Sequence, residues 1–270
     1  MIKFENTEVM GWEAAIRGMR NPMNSWEKSD TGYIKECSTC KYYEEDEVCR
    51  ADDWSGQPIN TENCYEFKIG PNDLDLMIRL RDAGTDHRKF MRMITVYVDV
   101  TAPLYWWKEF DTYKVGTVAN SCSTMHKIAD KEFTLEDFSC EHLVHAARID
   151  LGHTIDALNF FRGIYLHGGM AKDEVGNLCG YGKKSSQIWW QMIQLLPSSY
   201  NQKRTVMMNY EVLANIYKSR KDHKLDEWCL HGDLGDGTAR PHDYAPGFCD
   251  WIKTLPYSEL ITQEEVLDSE

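Results

Sequence analysis

Positions 93–103, Met-Ile-Thr-Val-Tyr-Val-Asp-Val-Thr-Ala-Pro, alternate between apolar and polar. Ile94, Val96, Val98 and Val100 fall on one side, Thr95, Tyr97, Asp99 and Thr101 on the other. A period of two predicts a strand with one buried face, ended by Pro103. Most other apolar residues recur at helical spacing. The stretch 70–84 predicts a helix with Leu74, Met77, Ile78 and Leu80 along one side, Asn72 as its N-cap and Gly84 closing it. A shorter helix is expected within 12–26, ended or kinked by Pro22. Longer helical patterns run over 136–167, stopped by Gly168-Gly169, over 185–200, broken by Pro197, and over 205–232. The aromatic run 104–110 begins a further helix, and a short one is expected near 247–260. The sum is a helix-rich α+β chain with few strands.

Two regions stand outside this periodicity. Residues 31–68 form a cysteine- and acid-rich insert, and 168–184 is glycine-containing and reads as a flexible loop. Within the insert, two residues separate Cys37 from Cys40, followed by Cys49 and Cys64. One tight turn can aim a Cys-x2-Cys pair at a single ion, and four thiolates suit a closed, structural zinc site. The alternative is four unrelated thiols, because the second pair has no such knuckle.

Composition narrows the function classes. The 270 residues carry a formal net charge of −13. That balance argues against broad binding of nucleic acid polymers and leaves room for a small anionic ligand held by local cations. No apolar run is long enough to span a membrane, and residues 1–18 lack an apolar signal core, so a cytoplasmic protein is expected. Nine cysteines without an export signal point to reduced thiols or metal ligation rather than a disulfide framework. No Walker loop, Rossmann fingerprint or nucleophile elbow occurs.

One segment is polar without being charged. Residues 110–126, Phe-Asp-Thr-Tyr-Lys-Val-Gly-Thr-Val-Ala-Asn-Ser-Cys-Ser-Thr-Met-His, follow the aromatic run with hydroxyl and amide side chains. Such a segment offers hydrogen bonds to a polar ligand. Tryptophans 106, 107, 189 and 190 are read as packing. Cys122 would need a lowered pKa to act as a nucleophile.

The order of these segments resembles the flavin-dependent thymidylate synthases, the ThyX family. The stretch 83–103 is similar to the family's histidine-containing entry and its strand ending in Ala-Pro. Thr112-Tyr113-Lys114 falls where the family's signature has Arg-His-Arg, and Thr117 falls on its first serine. With one inserted residue, Asn120, Ser121, Ser123, Met125 and His126 fall on the signature's Asn, Glu, second Ser, Arg and Tyr. Residues 195–220 follow the family's Leu-Pro, Asn-x-Arg, Asn and Arg pattern, with Glu211 in place of an arginine. Residues 224–228 and 14–17 resemble two further segments, so the likeness spans roughly 8–260 apart from the insert.

The resemblance implies a single ThyX-like domain over 1–270 with a small, mostly antiparallel sheet and the 31–68 insert within it. It implies reductive transfer of a one-carbon unit to dUMP or a related pyrimidine nucleotide, with FAD as cofactor and NADPH and methylene-tetrahydrofolate as co-substrates. Carried over residue by residue, it makes Arg220 a catalytic and substrate contact. His87, Tyr113, Lys114, Asn120, Asn209 and Asn215 become cofactor contacts. Lys114, Ser121 and Ser123 become substrate contacts. A homotetramer with the flavin site between subunits is implied as well. Eleven positions separate Asn209 from Arg220, about 20° around an ideal helix, so both can face one site. Two departures bear on the chemistry: Met125 and Ile193 stand where the family grips the phosphate with arginines. Two further readings therefore stand beside the first. One is a relative that has lost dUMP methylation and binds or modifies another ligand. The other is a zinc-stabilised interaction protein.

Overall fold

The computed structural model describes residues 2–35, 65–167, 170–172, 178–180, 185–229 and 246–263. The four insert cysteines, Cys37, Cys40, Cys49 and Cys64, lie outside the described residues, as does most of the 168–184 loop. The chain divides into two compact units, one made of 1–10 with 94–270, the other of 11–93.

Two short antiparallel pairs join β2 (Gly32–Lys35) with β3 (Tyr65–Lys68) and β6 (Met170–Lys172) with β7 (Leu178–Gly180). The larger unit is built on a four-stranded antiparallel sheet in the order β1 (Lys3–Met10), β4 (Thr95–Pro103), β8 (Asn201–Asn209), β5 (Val118–Ser121). The alternation in β4 does what its period requires. Val96, Val98 and Val100 are buried, and Asp99 on the opposite face accepts from Thr205 Oγ1 at 2.6 Å. The register Thr95↔Asn209 through Pro103↔Asn201 runs the full length of β4. Directly after β4, α3 (Leu104–Phe110) drives Trp106, Trp107 and Phe110 into a buried aromatic cluster with Trp228 and Phe248. Ring centroids 4.7–6.0 Å apart, mostly tilted or edge-on, are the favoured packing of quadrupolar rings. A second cluster packs Leu151, Ile155 and Leu158 of α5 (His145–His167) against Met192 of α6 (Ser186–Leu195).

In the larger unit two local expectations are corrected. Residues 201–209 are a strand, not the start of the 205–232 helix. Val206 and Met208 are buried, and pairing on both sides with β4 and β5 overrides the helix propensity of Gln202, Lys203, Arg204, Met207 and Met208. The helix proper is α7 (Tyr210–Arg220). The helix expected from 136 begins only at His145. Before it, a 3-10 turn at Leu135–Asp137 is closed by a capping box between Thr134 and Asp137, and buried Phe138 then bridges to Tyr200 in extended form. The polar segment 110–126 does not continue α3. It turns, supplies edge strand β5 and ends in one helical turn, α4 (Thr124–Lys127).

In the smaller unit, α1 (Trp12–Arg20) ends one residue before the 3-10 turn that holds Pro22. The helix α2 (Pro71–Asp82) starts after Gly70, and Asn72 lies in its first turn rather than capping it. The cap comes from a distant residue: the Asp30 carboxylate accepts from the backbone N–H of Asn72 at 2.9 Å and of Asp73 at 3.1 Å. Gly84, at φ +104°, follows the helix where a left-handed residue closes it.

Candidate functional site

The polar segment and α7 lie against each other in the larger unit. Gly116 is the residue that allows it. It sits at φ +80°, and a Cβ there would stand 2.8 Å from a Val212 methyl and 3.1 Å from Asn209 Nδ2. The loop therefore runs flush along the first turn of α7. Asn209 is that helix's N-cap: its Oδ1 accepts from Val212 N at 3.0 Å.

At the other end of α7, Arg220 meets the start of the same loop. Its Nε donates to the Tyr113 hydroxyl at 2.8 Å, and its Nη1 donates to Glu109 Oε2 at 2.6 Å. The guanidinium also lies 4.8 Å from the Trp228 ring centroid and 5.6 Å from that of Tyr113. Glu109 Oε2 accepts a second bond from the Trp228 indole N–H at 3.0 Å, and His223 Nε2 stands 3.3 Å away. His223 Nδ1 accepts from Leu225 N at 3.2 Å, which leaves the ring proton on Nε2, facing the carboxylate.

A cleft of about 260 Å³ opens on the same unit, where α4 and the turn after it approach the start of β8. Ser123, Lys127, Lys131, Lys203, Tyr200 and Asp137 are among its walls. Ser123 caps α4, its Oγ accepting from His126 N at 3.1 Å. The three ammonium groups are held by carboxylates: Lys127 by Asp130 at 2.8 Å, Lys131 by Asp137 at 2.5 Å, and Lys203 by Glu5 at 2.9 Å and Asp99 at 3.3 Å. Hydrogen bonds to these carboxylates raise all three lysine pKa values, so each ammonium group stays charged, balanced by its carboxylate partners. Burial, followed by the Asp137 charge, raises the Tyr200 phenol and keeps it protonated as a donor.

The sequence-derived residues fall in several places. Tyr113 and Arg220 are brought together, and Asn209 touches the same loop through Gly116. Ser123 lines the cleft. Lys114 is exposed on the loop, and Asn120 and Ser121 lie exposed on edge strand β5, opposite Thr205 and Arg204. Asn215 is on the exposed side of α7, and His87 belongs to the smaller unit. Trp106 and Trp107 are buried, as packing residues should be, whereas Trp190 is half exposed and the Trp189 indole donates to Met125 O. Sequence reasoning missed Glu109, Lys131 and Lys203. Lys127 and Lys131 are four apart, a spacing that could have flagged them. Lys203 lay hidden in the gap between the helices expected over 185–200 and 205–232. Among the described residues, no group of three or more His, Cys, Asp or Glu is placed to hold a metal ion, and no helix is long and apolar enough to cross a membrane.

The sequence matches no protein-family model and no curated protein. Solved structures do share its architecture. Thymidylate synthase X (ThyX) from Helicobacter pylori, crystallised with FAD and dUMP, superposes with a TM-score of 0.50 over 83% of this chain and 86% of that one, at 11% identity. A second crystal structure, of flavin-dependent thymidylate synthase ThyX from the same organism complexed with FAD and dUMP, gives a TM-score of 0.47 at 12% identity, over 82% and 86% of the two chains. The chain carries a ThyX-like α+β fold, helix-rich around a small antiparallel sheet.

Proposed function

We propose that this chain is a nucleotide-binding flavoprotein of the thymidylate synthase type, which transfers a one-carbon unit reductively to dUMP or a related pyrimidine nucleotide. The observation that carries the proposal is the lysine-lined cleft beside Ser123 on a ThyX-like fold. Three ammonium groups around one small cleft suit a phosphate dianion, in place of the arginines that Met125 and Ile193 replace. At about 260 Å³ the cleft suits the phosphate and sugar of a mononucleotide and is too small for a dinucleotide such as FAD.

The Tyr113–Arg220 pair is the proposed contact to a flat heterocycle. Tyr113 accepts from Arg220 and so keeps its own O–H to donate, a fit to the carbonyl edge of a flavin or a pyrimidine. Bound FAD would supply hydride and one-carbon transfer, with NADPH and methylene-tetrahydrofolate as co-substrates. Asn209 contributes by fixing α7 against the loop, its Oδ1 being occupied by the cap. Lys114, Asn120, Ser121 and Asn215 are exposed polar groups suited to a ligand or a second subunit, in keeping with a homotetramer.

The test is the absorbance spectrum and released cofactor of the purified full chain, followed by tritium release from labelled dUMP with both co-substrates. A yellow protein that releases FAD and liberates tritium is expected. A colourless protein that takes up no FAD on titration would sink the flavin reading. A specific observation favours a second reading, a ThyX-fold protein that binds its ligand without methylating dUMP. Arg220 is engaged by Glu109, and both phosphate arginines are replaced. That reading predicts nucleotide binding without tritium release.

A further inference from the structure

We propose that Glu109 is a built-in competitor for Arg220, its carboxylate oxygen marking the place that an anionic group of the ligand takes on binding. The inference rests on Arg220 being a ligand contact. Two hydrogen bonds converge on Glu109 Oε2, from Arg220 Nη1 at 2.6 Å and the Trp228 indole N–H at 3.0 Å, and His223 Nε2 stands 3.3 Å from the same oxygen. One cation and two ring N–H groups around a single oxygen form a nest fitted to an oxyanion, whichever molecule provides it.

The pair is also half open. Only Nη1 of the guanidinium reaches Glu109. Nε is spent on the neutral Tyr113 hydroxyl, and Nη2 has no hydrogen-bond partner among the described residues. Glu109 Oε1 is likewise unpartnered among the described residues, and the Glu109 side chain is 34% exposed. A carboxylate dedicated to holding the fold would use both oxygens against the planar fork. Here the fork keeps one edge for a second oxygen, as a phosphate or carboxylate group presents.

Arg220 is held in place independently of Glu109. Its guanidinium packs on Trp228 and Tyr113 and keeps the Tyr113 hydrogen bond. Releasing the carboxylate therefore leaves the donors pre-organised, which lowers the ordering cost of exchange. The ligand class is a molecule bearing phosphate or carboxylate, and the cost of displacing Glu109 lowers its affinity by a fixed factor.

The experiment titrates the full-length protein carrying Lys127→Ala, which weakens the lysine-lined cleft as a second phosphate site, with inorganic phosphate by calorimetry. Glu109→Gln keeps an acceptor for Trp228 and removes the competing charge. We expect phosphate to bind about tenfold tighter, a change of about 1.4 kcal/mol. Adding Arg220→Gln should abolish the gain. Unchanged or weaker phosphate binding by folded Glu109→Gln overturns the proposal, as does a gain that survives Arg220→Gln. If Glu109→Gln does not fold, Glu109→Asp decides: its carboxylate retreats by one methylene, so a gain of about threefold is expected and none refutes the idea. Failure of the wild type to bind FAD or turn over dUMP would sink the flavin reading alone, because the phosphate titration needs neither.

Discussion

Arg20 and Arg220 each meet one carboxylate, and the two pairs are built to opposite ends. In the smaller unit, Arg20 Nε donates to Asp73 Oδ1 at 2.6 Å, with side chains 4% and 0% exposed. Everything around them is satisfied. Arg20 also donates to the carbonyls of Ser25 at 3.2 Å and Lys28 at 3.1 Å. Asp73 Oδ2 accepts from Ser29 Oγ, Thr31 Oγ1 and the backbone N–H groups of Asp30 and Thr31. In the larger unit, Arg220 and Glu109 are 18% and 34% exposed, and each keeps an atom unpartnered among the described residues. A closed pair stitches segments far apart in sequence. A half-open one leaves its donors available to something else. The contrast separates architecture from binding more sharply than residue type does.

The largest effect should come from breaking the closed pair. Asp73→Ala leaves Arg20 as an uncompensated buried charge and removes the anchor that ties 29–31 to α2. We expect a loss of about 3–5 kcal/mol. Hydrogen exchange over 71–82, followed by mass spectrometry, should rise to the rate of the unfolded chain. Native-like protection in that helix would show that the pair is less structural than its geometry implies.

The same carboxylate makes the smaller unit acid-sensitive. Burial alone would raise the Asp73 pKa, but hydrogen bonds from Ser29, Thr31 and Arg20, with the Arg20 charge, outweigh it and hold the carboxyl below its ordinary value. A depressed folded pKa gives stability that is fully present above the unfolded value, about 3.9, and is lost as pH falls through the folded one. Protection of α2 should therefore be flat from neutral pH down to about 5 and fall below about 4. A decline centred near neutrality would point to another group.

The half-open pair should cost less to break. Glu109→Ala orphans the indole N–H of Trp228, whose ring is fully buried, for about 1–3 kcal/mol by urea denaturation. A loss as large as that of Asp73→Ala would make Glu109 a structural clasp and erase the contrast.

These two pairs also mark how far the sequence could be read. The alternation in β4 was legible because its valines face one buried layer over a full strand. The α2 helix was legible from its spacing, but not its cap, because Asp30 reaches it from 42 positions away. The strand 201–209 was illegible for a related reason. Its residues favour a helix locally, and only pairing with β4 and β5 makes them extended. The misread strand in turn hid Lys203, and with it one wall of the cleft. Tyr113 and Arg220 could be paired through the family resemblance, whereas Glu109 sits in an aromatic helix that reads as packing. Its role depends on a contact 111 positions away.

The smallest stability effect belongs to the most exposed pair, and that is where the comparison is sharpest. Lys127 and Asp130, 72% and 57% exposed, are three apart on one turn at the cleft. Exposed pairs at such spacing contribute little to stability, because both groups stay hydrated and must give up side-chain freedom to meet. Lys127→Ala should thus leave the urea midpoint almost unmoved. If the cleft takes a phosphate, the same substitution should weaken dUMP binding several-fold, and added salt should narrow the difference by screening the remaining lysines. Unchanged affinity in a fully stable variant would remove Lys127 from the proposed grip and shift it to Lys131 and Lys203. An equal loss of stability and affinity would instead mean that the pair holds α4 in place, as Asp73 holds α2.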